Sequence, residues 1–291
     1  MEFHLFLPQM RLSPEALVER ARAAETAGFT GLAVMDHLYP PAAADQPMYE
    51  ALTTITWLAA ATDRLRLGHL VLCDSFRHPA VLARQAVTLD HLSGGRFELG
   101  IGSGSTPGEL AAFGFGSPTP AQRLERLSET LTLVKKFWTG EPVDHQGTHF
   151  RVQGARQLPV PLGSIPIVVG GTGPSTMAIV AEHADWWNVP MHQTDRLVPA
   201  RPLAGAARVS VQLLVTLVTD ERQRDDVVSL AERRFGGMSQ GGHLVGSAGE
   251  LLPRLEALRD QGVERIYTWF TDFAAPETLH AFGREVVGAL A

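Results

Sequence analysis

Residues Thr88 to Gly104, T-L-D-H-L-S-G-G-R-F-E-L-G-I-G-S-G, decide the reading of this chain. They give the end of a helix, a tight Ser93-Gly94-Gly95 turn, a short strand and a glycine-rich loop. Phe97, Leu99 and Ile101 alternate with Glu98 and Gly100, a period of two that predicts a strand over Arg96–Gly102. Gly102 and Gly104 stand at its carboxyl end. Lacking a Cβ, they permit positive φ and let a ligand approach the backbone. In a parallel α/β sheet or barrel, ligands sit at that end. The alternative is a glycine turn with no ligand.

Strand and helix patterns alternate on both sides of this stretch. Glu2–Leu7 reads as a first strand, and Ser13-Pro14-Glu15 caps a helix that runs to Ala27 and closes at Gly28. Further strands are expected at Gly31–Met35, Arg66–Leu72, Ile165–Val169, Trp186–Val189, Val209–Val218 and Arg265–Thr268. Further helices are expected at Tyr49–Thr62, Pro79–His91, Ala121–Trp138, Pro174–Ala184, Ala248–Gln261 and Pro276–Leu290. An irregular insertion over about 140–163 includes a short hairpin around His145-Gln146-Gly147-Thr148.

Eight strands alternating with helices over 291 residues is the count of a (β/α)₈ TIM barrel. A doubly wound open sheet would carry its phosphate fingerprint after the first strand, where this chain has Pro8-Gln9-Met10 and no glycine. With no composition break and no internal repeat, residues 1–291 are expected to form one barrel domain.

The formal net charge of −6 and the lack of a basic cluster argue against nucleic acid and membrane surfaces as partners. Cys73 is the only cysteine, so no internal disulfide can form and a cytoplasmic location is expected. The amino terminus, M-E-F-H-L-F-L-P, lacks a basic region and reads as a strand, not a signal peptide. There are 11 histidines but no H-E-x-x-H and no cysteine pair, so no metal site is expected.

Two loops could carry chemistry. Asp36-His37 directly follows the apolar strand L-A-V-M, so an imidazole stands at a strand's carboxyl end, where it can exchange a proton near neutral pH. An ionised Asp36 beside it is expected to steady the charged ring. The bland alternative is a capping Asp with an incidental His. In I-P-I-V-V-G-G-T-G-P-S-T, a buried strand runs into Gly170, Gly171, Thr172 and Gly173 and then a helix. Free amides and the helix dipole at such a start bind phosphate, unless the loop is an ordinary strand-to-helix connection. Trp186 and Trp187 read as packing, and Phe113 and Phe115 as a hydrophobic loop anchor.

The motifs G-L-A-V-M-D-H-L, R-L-G-H-L-V-L-C-D-S-F-R-H-P-A, L-D-H-L-S-G-G-R-F-E-L-G-I-G-S-G and P-I-V-V-G-G-T-G-P together resemble the luciferase-like monooxygenase superfamily. The branch they resemble uses coenzyme F-420, an 8-hydroxy-5-deazaflavin. The likeness covers Met1 to about Val189; the last hundred residues match mainly by topology. It implies a bacterial-luciferase-like barrel with the coenzyme at the carboxyl end of the strands. Asp36 and His37 would stand beside the ring, with His37 the proton donor or acceptor, and Leu70–Val71 would be a cis peptide bracing it. Ser103 and Gly104 would line the coenzyme, and Gly170, Gly171 and Thr172, with Gly173, would form its phosphate loop. The activity implied is hydride transfer to or from a small-molecule substrate by a homodimeric enzyme. The alternatives are FMN-dependent oxygenation and a non-catalytic flavin-binding protein on the same barrel. The chain departs from the family's sugar-phosphate dehydrogenases at Ser105, where they carry Glu. It also has Ala184-Asp185-Trp186-Trp187 in place of Ala-Asp-Gly-Trp, and a short, Pro-rich segment from His192 to Ala207.

Overall fold

The computed structural model describes residues 1–41, 43–236 and 241–290. Its strands are β1 (Glu2–Phe6), β2 (Gly31–Val34), β3 (Arg66–His69), β4 (Leu72–Cys73), β5 (Leu99–Gly102), β6 (Val143–Gln146), β7 (Arg151–Ala155), β8 (Ile167–Gly170), β9 (Trp186–Val189), β10 (Arg208–Leu217), β11 (His243–Gly246) and β12 (Arg265–Phe270). The helices are α1 (Pro14–Thr26), α2 (Ala51–Ala61), α3 (Pro79–Ser93), α4 (Pro107–Ala112), α5 (Pro120–Trp138), α6 (Pro174–His183), α7 (Leu197–Ala200), α8 (Arg224–Phe235), α9 (Ala248–Asp260) and α10 (Pro276–Phe282). Among these, no helix is long and apolar enough to cross a membrane.

The large sheet runs in the order β3-β2-β1-β12-β10-β9-β8-β5-β4 with parallel pairing throughout. The remaining seam is bridged where Leu67 pairs with Phe97. There the Leu67 amide donates to Arg96 O and the Glu98 amide to Leu67 O, both at 2.9 Å. The result is the expected barrel, with helices packed outside it. A Cβ on Gly100 would fall 1.8 Å from the His69 carbonyl oxygen, so the approach of β5 to β3 requires glycine.

Three departures from the sequence reading have physical causes. The third strand is not continuous over Arg66–Leu72: it breaks into β3 and β4 at the cis peptide Leu70–Val71. The fourth begins at Leu99, because Phe97 and Glu98 make only the seam contacts. β11 and α8 were not expected. β10 is long, and β9 pairs only with its Arg208–Val211 half; β11 pairs along Leu214–Leu217. The insertion forms the antiparallel pair β6–β7.

Inside the barrel, near the amino ends of the strands, Arg265 is only 2% exposed. It donates to both carboxylate oxygens of Glu98 (2.7 and 3.2 Å), to Glu2 Oε2 (2.8 Å) and to the Tyr267 hydroxyl (3.2 Å). Arg66 pairs with the same Glu98 carboxylate, and Arg265 lies over Trp186, 3.7 Å from the ring centroid. Burial opposes charge on Arg265, but Tyr267, Glu98 and Glu2 hold its pKa above the ordinary value. A charge so placed stabilises the barrel only while its partners stay. Glu98→Gln is therefore expected to cost about 3–5 kcal/mol in urea unfolding followed by circular dichroism. A loss under about 1 kcal/mol would show that the pair does not hold the barrel together.

Candidate active site

The site forms where loops leave the carboxyl ends of β2, β3–β4, β5, β8 and β9. After β2, the Gln9 side chain clamps Met35: Nε2 donates to Met35 O at 2.6 Å, and Oε1 accepts from the Met35 amide at 3.2 Å. Gln9 is completely buried, so this clamp fixes the exit direction of β2. Asp36 follows, also buried. Its carboxylate accepts the Cys73 amide at 2.7 Å and pairs with both terminal nitrogens of Arg77, Nη2 at 3.0 Å from Oδ1. Arg77 also reaches Glu50, the cap of α2, at 3.1 Å. Burial works against the charge on Arg77, and Asp36 and Glu50 more than offset it, raising its pKa.

Asp36 therefore does not steady His37, contrary to the expectation from their adjacency. Its carboxylate is taken by Arg77 and Cys73, and the carboxylate on His37 belongs to Glu109. His37 Nδ1 lies 2.9 Å from Glu109 Oε2, while Glu109 Oε1 accepts the Leu38 amide. Glu109 is 3% exposed and His37 19%. Pro107 opens α4 and puts Glu109 in its first turn. The Phe113 ring at the end of α4 meets Tyr39 at 5.8 Å, tying this helix to the His37 loop. Phe115 meets Phe76 at 5.0 Å, so the expected hydrophobic anchor is made by ring contacts although Phe113 is half exposed. An ionised carboxylate only accepts, so Nδ1 carries the proton and Nε2 is the ring nitrogen left to exchange one.

A cavity of about 340 Å³ gathers most of the expected residues. Asp36, His37, Leu70, Val71, Ser103, Gly104, Gly170 and Gly171 all line it. A Cβ on Gly102 would come within 2.8 Å of Val71 Cγ2, and one on Gly104 (φ +86°) within 2.9 Å of Cys73 Sγ. These glycines keep the floor low enough for a flat ligand. Thr172 and Gly173 lie outside the lining: Thr172 Oγ1 donates to Gln193 Oε1 at 2.7 Å, and Gly173 caps α6. The Gly171 amide is already spent on Asn188 O at 3.0 Å, and Trp187 Nε1 donates to Gly171 O at 2.7 Å.

A second cavity of about 270 Å³ adjoins the first, sharing His37, Leu70 and Gln212 with it. Its walls are mostly apolar. The sequence reading missed Glu109, Asn188, Gln193 and Gln212. Gln212 carried a signal, a lone amide in the apolar run V-Q-L-L-V; Glu109 carried none beyond its place after a glycine-rich loop. Among the described residues no cluster of three or more His, Cys, Asp or Glu could hold a metal ion.

Cys73 lines the larger cavity, and burial, reinforced by Asp36 and Asp74, pushes its thiol up to about 11. The folded state thus favours the neutral thiol. The stability this contributes is complete below the unfolded thiol value and is lost as pH rises towards 11. Labelling of folded protein by a thiolate-selective disulfide reagent at pH 8 should run about 100-fold slower than in urea and should keep accelerating above pH 9.5. A plateau near pH 9 would contradict the buried thiol.

Known proteins resemble this chain both in sequence and in fold. An F420-dependent glucose-6-phosphate dehydrogenase of Nakamurella multipartita is 33% identical over 199 residues, covering 65% of this chain and 58% of that protein. The enzyme of the same name from Microbacterium testaceum is 31% identical over 235 residues, covering 77% of this chain and 69% of its own length. The chain thus spans only part of these relatives. An F420-dependent secondary alcohol dehydrogenase, solved with an F420-acetone adduct, superposes with a TM-score of 0.83 at 17% identity over 98% of both chains, a likeness of fold. The model of the luciferase-like monooxygenase family matches residues 1–211, from β1 into the first half of β10, and so takes in His37, Glu109 and the glycine-rich loops. This chain belongs to the luciferase-like monooxygenase family.

Proposed function

We propose that this protein is a deazaflavin-dependent oxidoreductase that passes a hydride between coenzyme F-420 and a small organic substrate. The observation that carries this reading is the His37–Glu109 pair, standing where a glycine-floored cavity opens into an apolar one. The relatives named for F420 support the choice of coenzyme. Bound, the deazaflavin supplies C5 as a hydride donor or acceptor. The residues do the rest. Leu70 and Val71 wall the larger cavity, and Ser103 and Gly104 line its floor. Gly170, Gly171, Thr172 and Gly173 stand towards the start of α6, the side suited to the coenzyme's phosphate. Asp36 positions the wall through Cys73 and Arg77. His37 Nε2 takes or gives the proton that accompanies the hydride, and Glu109 sets the ring's tautomer and orientation. Gln212 borders both cavities and is placed to bond either ligand.

The proposal extends to a cytoplasmic homodimer. The single cysteine favours a reducing compartment, and an apolar groove between α2 and α3, with Trp57 44% exposed, offers a face for a second copy.

FMN is the alternative occupant of the same cavity. Titration of each coenzyme against intrinsic tryptophan fluorescence separates the two. F-420 should bind at least about tenfold more tightly than FMN, a difference of about 1.4 kcal/mol. Equal or reversed affinities would replace the deazaflavin with FMN and the hydride exchange with oxygen chemistry.

A further inference from the structure

We propose that the second cavity selects a substrate with an apolar body and a single anionic head, such as an aromatic or branched aliphatic carboxylate. This rests on the larger cavity holding the coenzyme. Phe6, Met35, Met191, Phe235 and Trp269 provide most of the inner wall, and all are buried. These side chains form their own packed cluster at the carboxyl end of the barrel, apart from the core between barrel and helices. The two charged side chains that line the cavity besides His37 are both arginines, Arg11 and Arg234. Both are solvent-exposed, which places them at the mouth.

Neither arginine has a carboxylate partner among the described residues. Among the described residues Arg234 donates only to Thr271 O, at 2.9 Å, and its guanidinium lies 5.1 Å from the Phe273 ring centroid. Arg11 adopts φ +59°, a backbone conformation that non-glycine residues seldom take. No acidic side chain lines the cavity among the described residues, so the mouth carries uncompensated positive charge. Trp269 Nε1 is buried, with no hydrogen-bond partner among the described residues, so this wall presents its ring and not its N–H to the cavity.

The same walls disfavour a sugar phosphate. Each buried sugar hydroxyl left without a partner costs about 1–3 kcal/mol. Facing the several hydroxyls of a hexose, the described side chains of the inner wall offer His37 and Gln212 as polar partners. An apolar body, in contrast, gains about 25 cal/mol for each Å² it buries.

The test measures binding of 3-phenylpropanoate, 3-phenylpropanol and glucose 6-phosphate by calorimetry, on protein with and without F-420. The carboxylate should bind at least about tenfold more tightly than the alcohol and than glucose 6-phosphate. Arg11→Met with Arg234→Met should reduce its preference over the alcohol to less than about threefold, with alcohol affinity unchanged, while Arg→Lys at both positions should keep it. Equal affinities for the acid and the alcohol, or tighter glucose 6-phosphate, would overturn the proposal. Measurement without F-420 separates the two readings. Failure of F-420 to bind while the carboxylate preference persists would sink the coenzyme assignment but leave this cavity's selectivity standing.

Discussion

The geometry of the site depends on one buried carboxylate being occupied. Asp36 holds the Cys73 amide and the Arg77 guanidinium, and Arg77 in turn holds the cap of α2. These bonds join the end of β2 to the short β4 beyond the break at Leu70–Val71. With Asp36 buried and Arg77 only 11% exposed, removing either partner would leave the other's charge largely uncompensated, a far larger cost than breaking a surface pair. With Asp36 committed to that junction, the group that controls the neighbouring imidazole has to come from another loop. It comes from α4.

The two ends of the barrel divide the work. At the amino end of the strands, Arg265, Glu98, Glu2 and Arg66 fill the interior with charges that satisfy one another. At the carboxyl end, glycines and apolar side chains make up much of the walls, leaving room for ligands. Barrels commonly separate stability from function in this way. Here the separation explains why a ligand-sized opening can exist beside a well-filled interior.

Most of the fold was legible, because period-two apolar runs and capped helices specify a barrel through local physics. The break after His69 does not show in the apolar run of Arg66–Leu72; only the family resemblance pointed to the cis peptide at Leu70–Val71, which the structure contains. α8 was passed over for its many charged residues, although Val227, Ala231 and Phe235 recur at helical spacing. In the site, adjacency in sequence misled. Asp36 and His37 are neighbours, yet successive residues at a strand end point in different directions. Their partners, Arg77 and Glu109, lie 41 and 72 residues away. The glycines at 102, 104, 170 and 171 were readable because only their lack of a side chain was needed to place them. The partner of the Thr172 hydroxyl, Gln193, lies on a later loop and could not be read from the glycine-rich motif.

The His37–Glu109 pair can be observed without a substrate. Nitrogen-15 NMR of histidine-labelled protein, with His37 assigned by its loss in His37→Gln, reports which ring nitrogen carries the proton. The expected result is Nδ1–H, with the Nε2 resonance moving when F-420 is added and returning in its absence. A His37 ring protonated on Nε2 with Nδ1 bare, and indifferent to F-420, would contradict both the pairing with Glu109 and the place of His37 beside the coenzyme.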